Sequence, residues 1–253
     1  MTLFTRSKWV FGHNVTQDNQ NITIVEGLDT FVIAIDVGSY TFTEFASQIQ
    51  FQMNEVLTET YTVTTNRDAQ TLTIDSTGTF DLLIFSGNAS SLFPLMGFTG
   101  ADLTGVSSAT SDSMSGENYT PQIPLQDFIN FDNDQAASLS SVNTSASGRV
   151  QAVRFGINKF MTCNIRWVHD TDSVKTFLEA DPNAESNLRN FLEYATLKRR
   201  LEFVPNVGDN STFTPCILES TRSSRDGTGF QIREIQNLAG WYESGRLRFR
   251  ELN

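Results

Sequence analysis

Cysteine and histidine are scarce: the chain has two of each, Cys163 and Cys216, His13 and His169. So few soft ligands leave little room for a zinc or iron centre, which draws on clustered His, Cys and carboxylate side chains. The nearest approach to such a cluster is His169-Asp170-Thr-Asp172, which also reads as an ordinary polar turn. No Gly-x-Ser-x-Gly elbow, no Gly-x-x-x-x-Gly-Lys and no Gly-x-Gly-x-x-Gly is present, so hydrolase and nucleotide-binding signatures are missing. Carboxylate pairs for glycoside hydrolysis can be drawn from any set of 29 acidic residues, and none stands out. No apolar run approaches the length of a membrane-spanning helix. The first ten residues have no apolar stretch of the kind found in a secretory signal. On that reading the two cysteines are expected as buried free thiols rather than a disulfide. Sequons at Asn21, Asn88 and Asn118 carry little weight in a Thr-rich chain.

What the 253 residues do hold is Thr, Ser, Asn and Phe; the 20 Phe outnumber the eight Tyr and Trp together, which suits a β-rich protein. The net charge of −11 is uneven. Residues 1–148 carry three basic and 16 acidic residues, net −13, and residues 149–253 carry 15 basic and 13 acidic, net +2. This asymmetry points to two domains, 1–110 and 111–253. The one basic cluster, Lys198-Arg199-Arg200, falls at a predicted helix end, where positive charge offsets the dipole. Neither half has the footprint of a nucleic-acid reader.

The clearest stretch is Tyr40–Gly100. Thr41 and Glu44 form a capping box, and Tyr40 with Phe45 a hydrophobic staple. Phe42, Phe45, Ala46, Ile49, Met53, Val56 and Leu57 then repeat at helical spacing. Two half-buried strands follow, Tyr61–Thr65 and Thr71–Ile74, then a third at Phe80–Phe85. Gly97, Gly100 and Gly105 read as turn residues. Upstream, Asn21–Val25 and Leu28–Val37 form strands around a Glu26-Gly27 turn, and residues 1–20 an extended arm or first strand. The Ser/Thr/Gly/Asp-rich stretch from Ala101 to Tyr119 reads as a linker.

In the second half, Arg149–Gly156 and Lys159–Val168 read as a hairpin across Gly156–Asn158, with Met161, Cys163, Ile165 and Trp167 on its inner side. Asp181-Pro182 starts a helix whose inner face is Leu188, Phe191, Leu192 and Ala195. Leu201–Val204 is a strand, Phe213–Ser220 and Gly229–Ile235 a second hairpin, and Arg246–Arg250 a final half-buried strand with a basic outer face. The fold class expected is α+β and β-rich: an N-terminal antiparallel sheet with one helix, and a C-terminal β-sandwich with one packed helix.

Several of these stretches resemble tailed-bacteriophage virion proteins: Phe11-Gly-His-Asn14; Ser91-Leu-Phe-Pro-Leu-Met-Gly-Phe-Thr-Gly-Ala-Asp102; Pro124-Leu-Gln-Asp-Phe128; Ala146-Ser-Gly-Arg-Val-Gln-Ala-Val-Arg-Phe-Gly156; and Ile217-Leu-Glu-Ser220 with Asp226-Gly-Thr-Gly229. The likeness spans nearly the whole chain, and the second half is similar in element order to tail-tube and distal-tail (baseplate) proteins. The resemblance implies a structural, non-enzymatic virion component made in the host cytoplasm. It implies a ring, commonly a hexamer, that contacts other tail or baseplate proteins, with DNA only as passing cargo and no membrane partner. It brings no catalytic, cofactor-binding or metal residues, and no cofactor. In such a ring the Arg149–Val168 segment would line the lumen or face a neighbouring subunit. A neck or head-surface protein, or a host-glycan-binding tail module using Trp241-Tyr242, remains open on the same residues.

Overall fold

The computed structural model describes residues 7–87, 90–112, 118–119, 130–132, 140–144, 150–154, 159–166, 168–169, 188–209, 211–225, 227 and 229–252. The strands are β1 (Lys8–Phe11), β2 (His13–Val15), β3 (Asn21–Glu26), β4 (Asp29–Ala34), β5 (Gly38–Tyr40), β6 (Tyr61–Asn66), β7 (Thr71–Leu82), β8 (Leu103–Thr110), β9 (Asn118–Tyr119), β10 (Asn130–Asp132), β11 (Ser140–Thr144), β12 (Val150–Arg154), β13 (Phe160–Asn164), β14 (Val168–His169), β15 (Leu201–Val204), β16 (Thr214–Thr221), β17 (Arg233–Glu234), β18 (Trp241–Glu243) and β19 (Arg246–Glu251). The helices are α1 (Phe42–Val56), between β5 and β6, and α2 (Leu188–Thr196), between β14 and β15. The fold is β-rich α+β, as the composition indicates.

In the N-terminal unit, α1 lies on a five-stranded sheet ordered β4-β3-β7-β6, with β8 on the other side of β7. The helix starts as its sequence dictates: Thr41 Oγ1 accepts the Glu44 N–H at 3.2 Å, and Glu44 Oε2 accepts the Thr41 N–H at 2.8 Å. Phe42, Phe45, Ala46, Ile49 and Met53 are buried on one stripe. Val56 shares that stripe but is 45% exposed at the last helical position; the C-cap Leu57, 7% exposed, is buried instead. The same helix shields one edge of the sheet. Asn54 Oδ1 accepts the Tyr61 N–H at 2.7 Å, its amide donates to the Tyr61 carbonyl at 2.9 Å, and Gln50 accepts the Val63 N–H at 2.9 Å. Side chains thus take the place of a neighbouring strand along β6.

Two expectations for this unit change. Thr71–Ile74 and the start of Phe80–Phe85 are one long strand, β7, that pairs β6 through its first half and β3 through its second. The register against β8 shifts between Asp75 and Phe80, so the Ser76–Thr79 stretch between the two expected strands is a bulge inside one strand. The expected linker at Ala101–Tyr119 contains β8 and β9: the Ser/Thr/Gly composition of β8 suits an outer strand whose inward Ala109 is buried.

The second core is built on a seven-stranded antiparallel sheet ordered β10-β13-β19-β16-β15-β1-β9. Trp9, Tyr119, Phe191, Phe203 and Phe249 meet there with ring centroids 4.8–6.3 Å apart, and α2 buries Leu188, Phe191, Leu192 and Ala195. Each such side chain contributes about 1.5–3 kcal/mol by leaving water. The helix start expected at Asp181-Pro182 lies outside the described residues. Strand β1 pairs β15 in this sheet, so Lys8–Phe11, grouped by sequence with residues 1–110, belong by pairing with the C-terminal strands.

Neither expected C-terminal hairpin forms. β12 pairs β11 as a separate ribbon, while β13 sits between β10 and β19. β16 sits between β15 and β19, and β17 pairs β18. Sequence neighbours were expected to pair; the buried faces of β13, β16 and β19 instead select one another across long separations. Met161, Cys163 and Ile165 are buried as expected, and Trp167 lies outside the described residues.

Candidate functional site

The two cores are joined through the β1–Gly12–β2 arm. β1 runs in the seven-stranded sheet and β2 pairs β5 in the N-terminal unit. Between them Gly12 donates its N–H to the Arg200 carbonyl at 3.1 Å, and its own carbonyl accepts the Tyr194 hydroxyl at 2.7 Å. A Cβ on Gly12 would lie 1.9 Å from the Tyr40 carbonyl oxygen and 2.7 Å from that of Arg200. Only glycine permits three backbones to meet here.

Along β1 and β15 alternate side chains go to opposite cores. Trp9, Phe11, Leu201 and Phe203 pack with α2, while Val10 and Val204 pack with the N-terminal core. Glu202 lies on that second face and is fully buried. Its Oε2 accepts from Arg67 Nε at 2.6 Å, and its Oε1 accepts the Thr43 N–H in the first turn of α1 at 2.7 Å. A carboxylate from one core thus caps a helix of the other and complements its positive end. Arg67 also donates to Thr43 Oγ1 and lies 3.8 Å over the Phe213 ring. Lys8, 4% exposed, donates to the Arg67 carbonyl at 3.0 Å and to Asp68 at 3.2 Å.

Beside this junction is a groove of about 560 Å³ lined by Gly38, Ser39, Tyr40, Thr43, Glu44, Ser47, Gln48 and Arg200. Arg200 pairs with Glu44 at 2.5 Å, Ser39 Oγ accepts the Arg200 N–H at 3.3 Å, and the Tyr40 hydroxyl donates to the Asp36 carbonyl at 2.8 Å. Ser47 donates to the Thr43 carbonyl and Gln48 to Asp36. Partial burial, then the Asp36 charge, raise the Tyr40 phenol above its ordinary range. The polar side chains of the groove are engaged in holding backbone and one another, and no nucleophile–base pair is formed among them.

The residues singled out by sequence are dispersed. His13 is buried, stacked 4.3 Å from the Phe45 ring, and burial lowers its pKa to about 3. His169 sits in β14 opposite Trp241, with Asp170 and Asp172 outside the described residues. Both cysteines are buried and unbonded, and burial pushes the Cys163 thiol up to about 12 and Cys216 further. Among the described residues no group of three His, Cys, Asp or Glu could hold a metal. The basic cluster is taken apart: Lys198 Nζ donates to the Leu218 and Glu219 carbonyls, Arg199 lies over Tyr194, and Arg200 joins Glu44. Gly97, Gly100 and Gly105 all have positive φ, but Gly105 lies inside β8 beside its register shift against β7 rather than in a turn. Tyr242 is buried and Trp241 half-buried, and no described helix is long and apolar enough to cross a membrane.

Sequence reasoning missed Glu202, Arg67 and Lys8. A signal was present: Glu202 interrupts the apolar run Leu201–Val204, and Arg67 and Lys8 are two of the three cations in the acidic half. No protein-family model matches the chain, and no curated protein sequence is detectably similar to it.

Proposed function

We propose that this chain is a structural component of a bacteriophage tail, forming a ring, six copies to a turn, at the distal tail or baseplate and connecting the tail tube to other tail proteins. The reading starts from the likeness of the stretches quoted above. The observation that carries it further is the Glu202–Arg67–Thr43 junction: among the described residues a buried carboxylate and a guanidinium are spent on fixing two β-rich cores to each other. Two cores tied by buried charge suit an adaptor that contacts more than one neighbour. In the ring, the β11–β12 ribbon takes the role that the resemblance implies for the Arg149–Val168 segment. Among the described residues it pairs with no other strand, which suits an element that pairs with a neighbouring subunit or lines the lumen. The burial of Tyr242 tells against a sugar-stacking platform at Trp241-Tyr242.

Negative-stain imaging of the purified protein tests this. Rings with six-fold symmetry are the expected result; a stable monomer that binds host cell-wall glycans overturns it.

A further inference from the structure

The outer face of the seven-stranded sheet carries a pocket that the junction does not use. Arg246 and Arg248 lie two apart on β19, and Arg248 is opposite Ser220 on β16. Continuing that register past Thr221↔Leu247 brings Arg222 alongside Arg246 on the same face. Ser220, Thr221, Arg222, Arg246 and Arg248 line a cavity of about 240 Å³, and among the described residues no carboxylate lines it.

Two of the guanidinium groups are held in place from beneath. Arg248 lies 3.9 Å over the ring of Phe160. The stem of Arg222 crosses Gly245, whose φ is +68°; a Cβ there would be 2.9 Å from Arg222 Cδ. Among the described side chains on and around this face, Lys159, Arg166, Arg222, Arg246, Arg248 and Arg250 outnumber Glu219, Glu243 and Glu251, six cations to three carboxylates. Glu243 is committed to Arg166 at 3.0 Å and stands 3.8 Å from Arg222, Glu219 lies 3.5 Å from Arg250, and Glu251 is 3.7 Å from Lys159. Among the described residues no carboxylate pairs with Arg246, which is exposed.

We propose that this pocket binds a phosphate group, free or carried on a polyanion. Three guanidinium groups around one cavity offer more donors than a planar carboxylate can accept. A tetrahedral oxyanion with three or more acceptor oxygens matches them, and the Ser220 hydroxyl adds a donor. The inference rests on the pocket alone and not on the tail reading.

The test is calorimetric titration and thermal denaturation of the full chain with inorganic phosphate, against chloride at equal ionic strength. A parallel arm uses a short single-stranded oligodeoxynucleotide. Phosphate is expected to bind and to raise the melting temperature beyond the chloride control. Arg246→Ala should weaken binding about tenfold, and Arg222→Ala with Arg246→Ala should abolish it. Arg246 is exposed, so its variant should melt with the wild type when phosphate is absent. Arg233→Ala, on exposed β17, should bind as the wild type does. Oligonucleotide binding that needs Arg246 and is displaced by phosphate identifies a polymeric source; phosphate binding without it identifies the free anion. No phosphate effect beyond chloride, or one undiminished in the double variant, overturns the proposal.

Discussion

Glu202 and Arg67 are 135 residues apart in sequence and 2.6 Å apart in space, and the carboxylate is fully buried while it also caps α1. Removing one partner leaves a buried charge unpaired, which costs more than the pair contributes. Glu202→Ala is therefore expected to lower unfolding free energy by about 3–5 kcal/mol in urea denaturation, while Glu202→Met with Arg67→Met should lose much less. A Glu202→Ala loss under about 1 kcal/mol would contradict the assigned role.

Gly12→Ala tests the crossing of the arm. The new methyl meets the carbonyl oxygens of Tyr40 and Arg200, which belong to backbone and cannot swing aside. A loss of about 3 kcal/mol or more is expected, read from the urea midpoint at unchanged slope. Tolerance of alanine there would mean the three backbones do not meet as described.

His13 makes stability depend on pH. Its folded pKa of about 3 lies below the ordinary 6.5, so the unfolded chain takes up the proton first. The stabilisation is complete above pH 6.5 and is lost as pH falls from 6.5 toward 3, at about 1.4 kcal/mol per pH unit. His13→Phe, which keeps a ring against Phe45, should flatten that part of the stability–pH curve; an unchanged slope would exclude His13 as the source.

Cys163 and Cys216 should resist thiol reagents in the native state, because burial raises both pKa values and removes access. Labelling with an aromatic disulfide is expected to track unfolding as urea is added. Rapid labelling of both thiols in buffer would contradict the buried placement.

Local features were legible in the sequence and distant pairings were not. The Thr41–Glu44 capping box, the inner face of α2 and the alternating β19 each depend on residues within a few positions, and each is found as expected. The errors arise where strands choose partners. Tyr61–Asn66 is identifiable as a strand, yet nothing in it announces that Asn54 and Gln50 will close its outer edge. Lys8–Phe11 alternates toward two cores and is buried throughout, where the sequence offers only an extended arm or a first strand. The junction was hidden for the same reason: Glu202 is conspicuous in an apolar strand, but its partner could not be found before the fold brought Arg67 to it.

The central claim is assembly. Native mass spectrometry of the purified chain, sampled over a range of protein concentrations, measures it most directly. The account predicts a discrete six-subunit species that persists on dilution. A monomer alone at every concentration would contradict it.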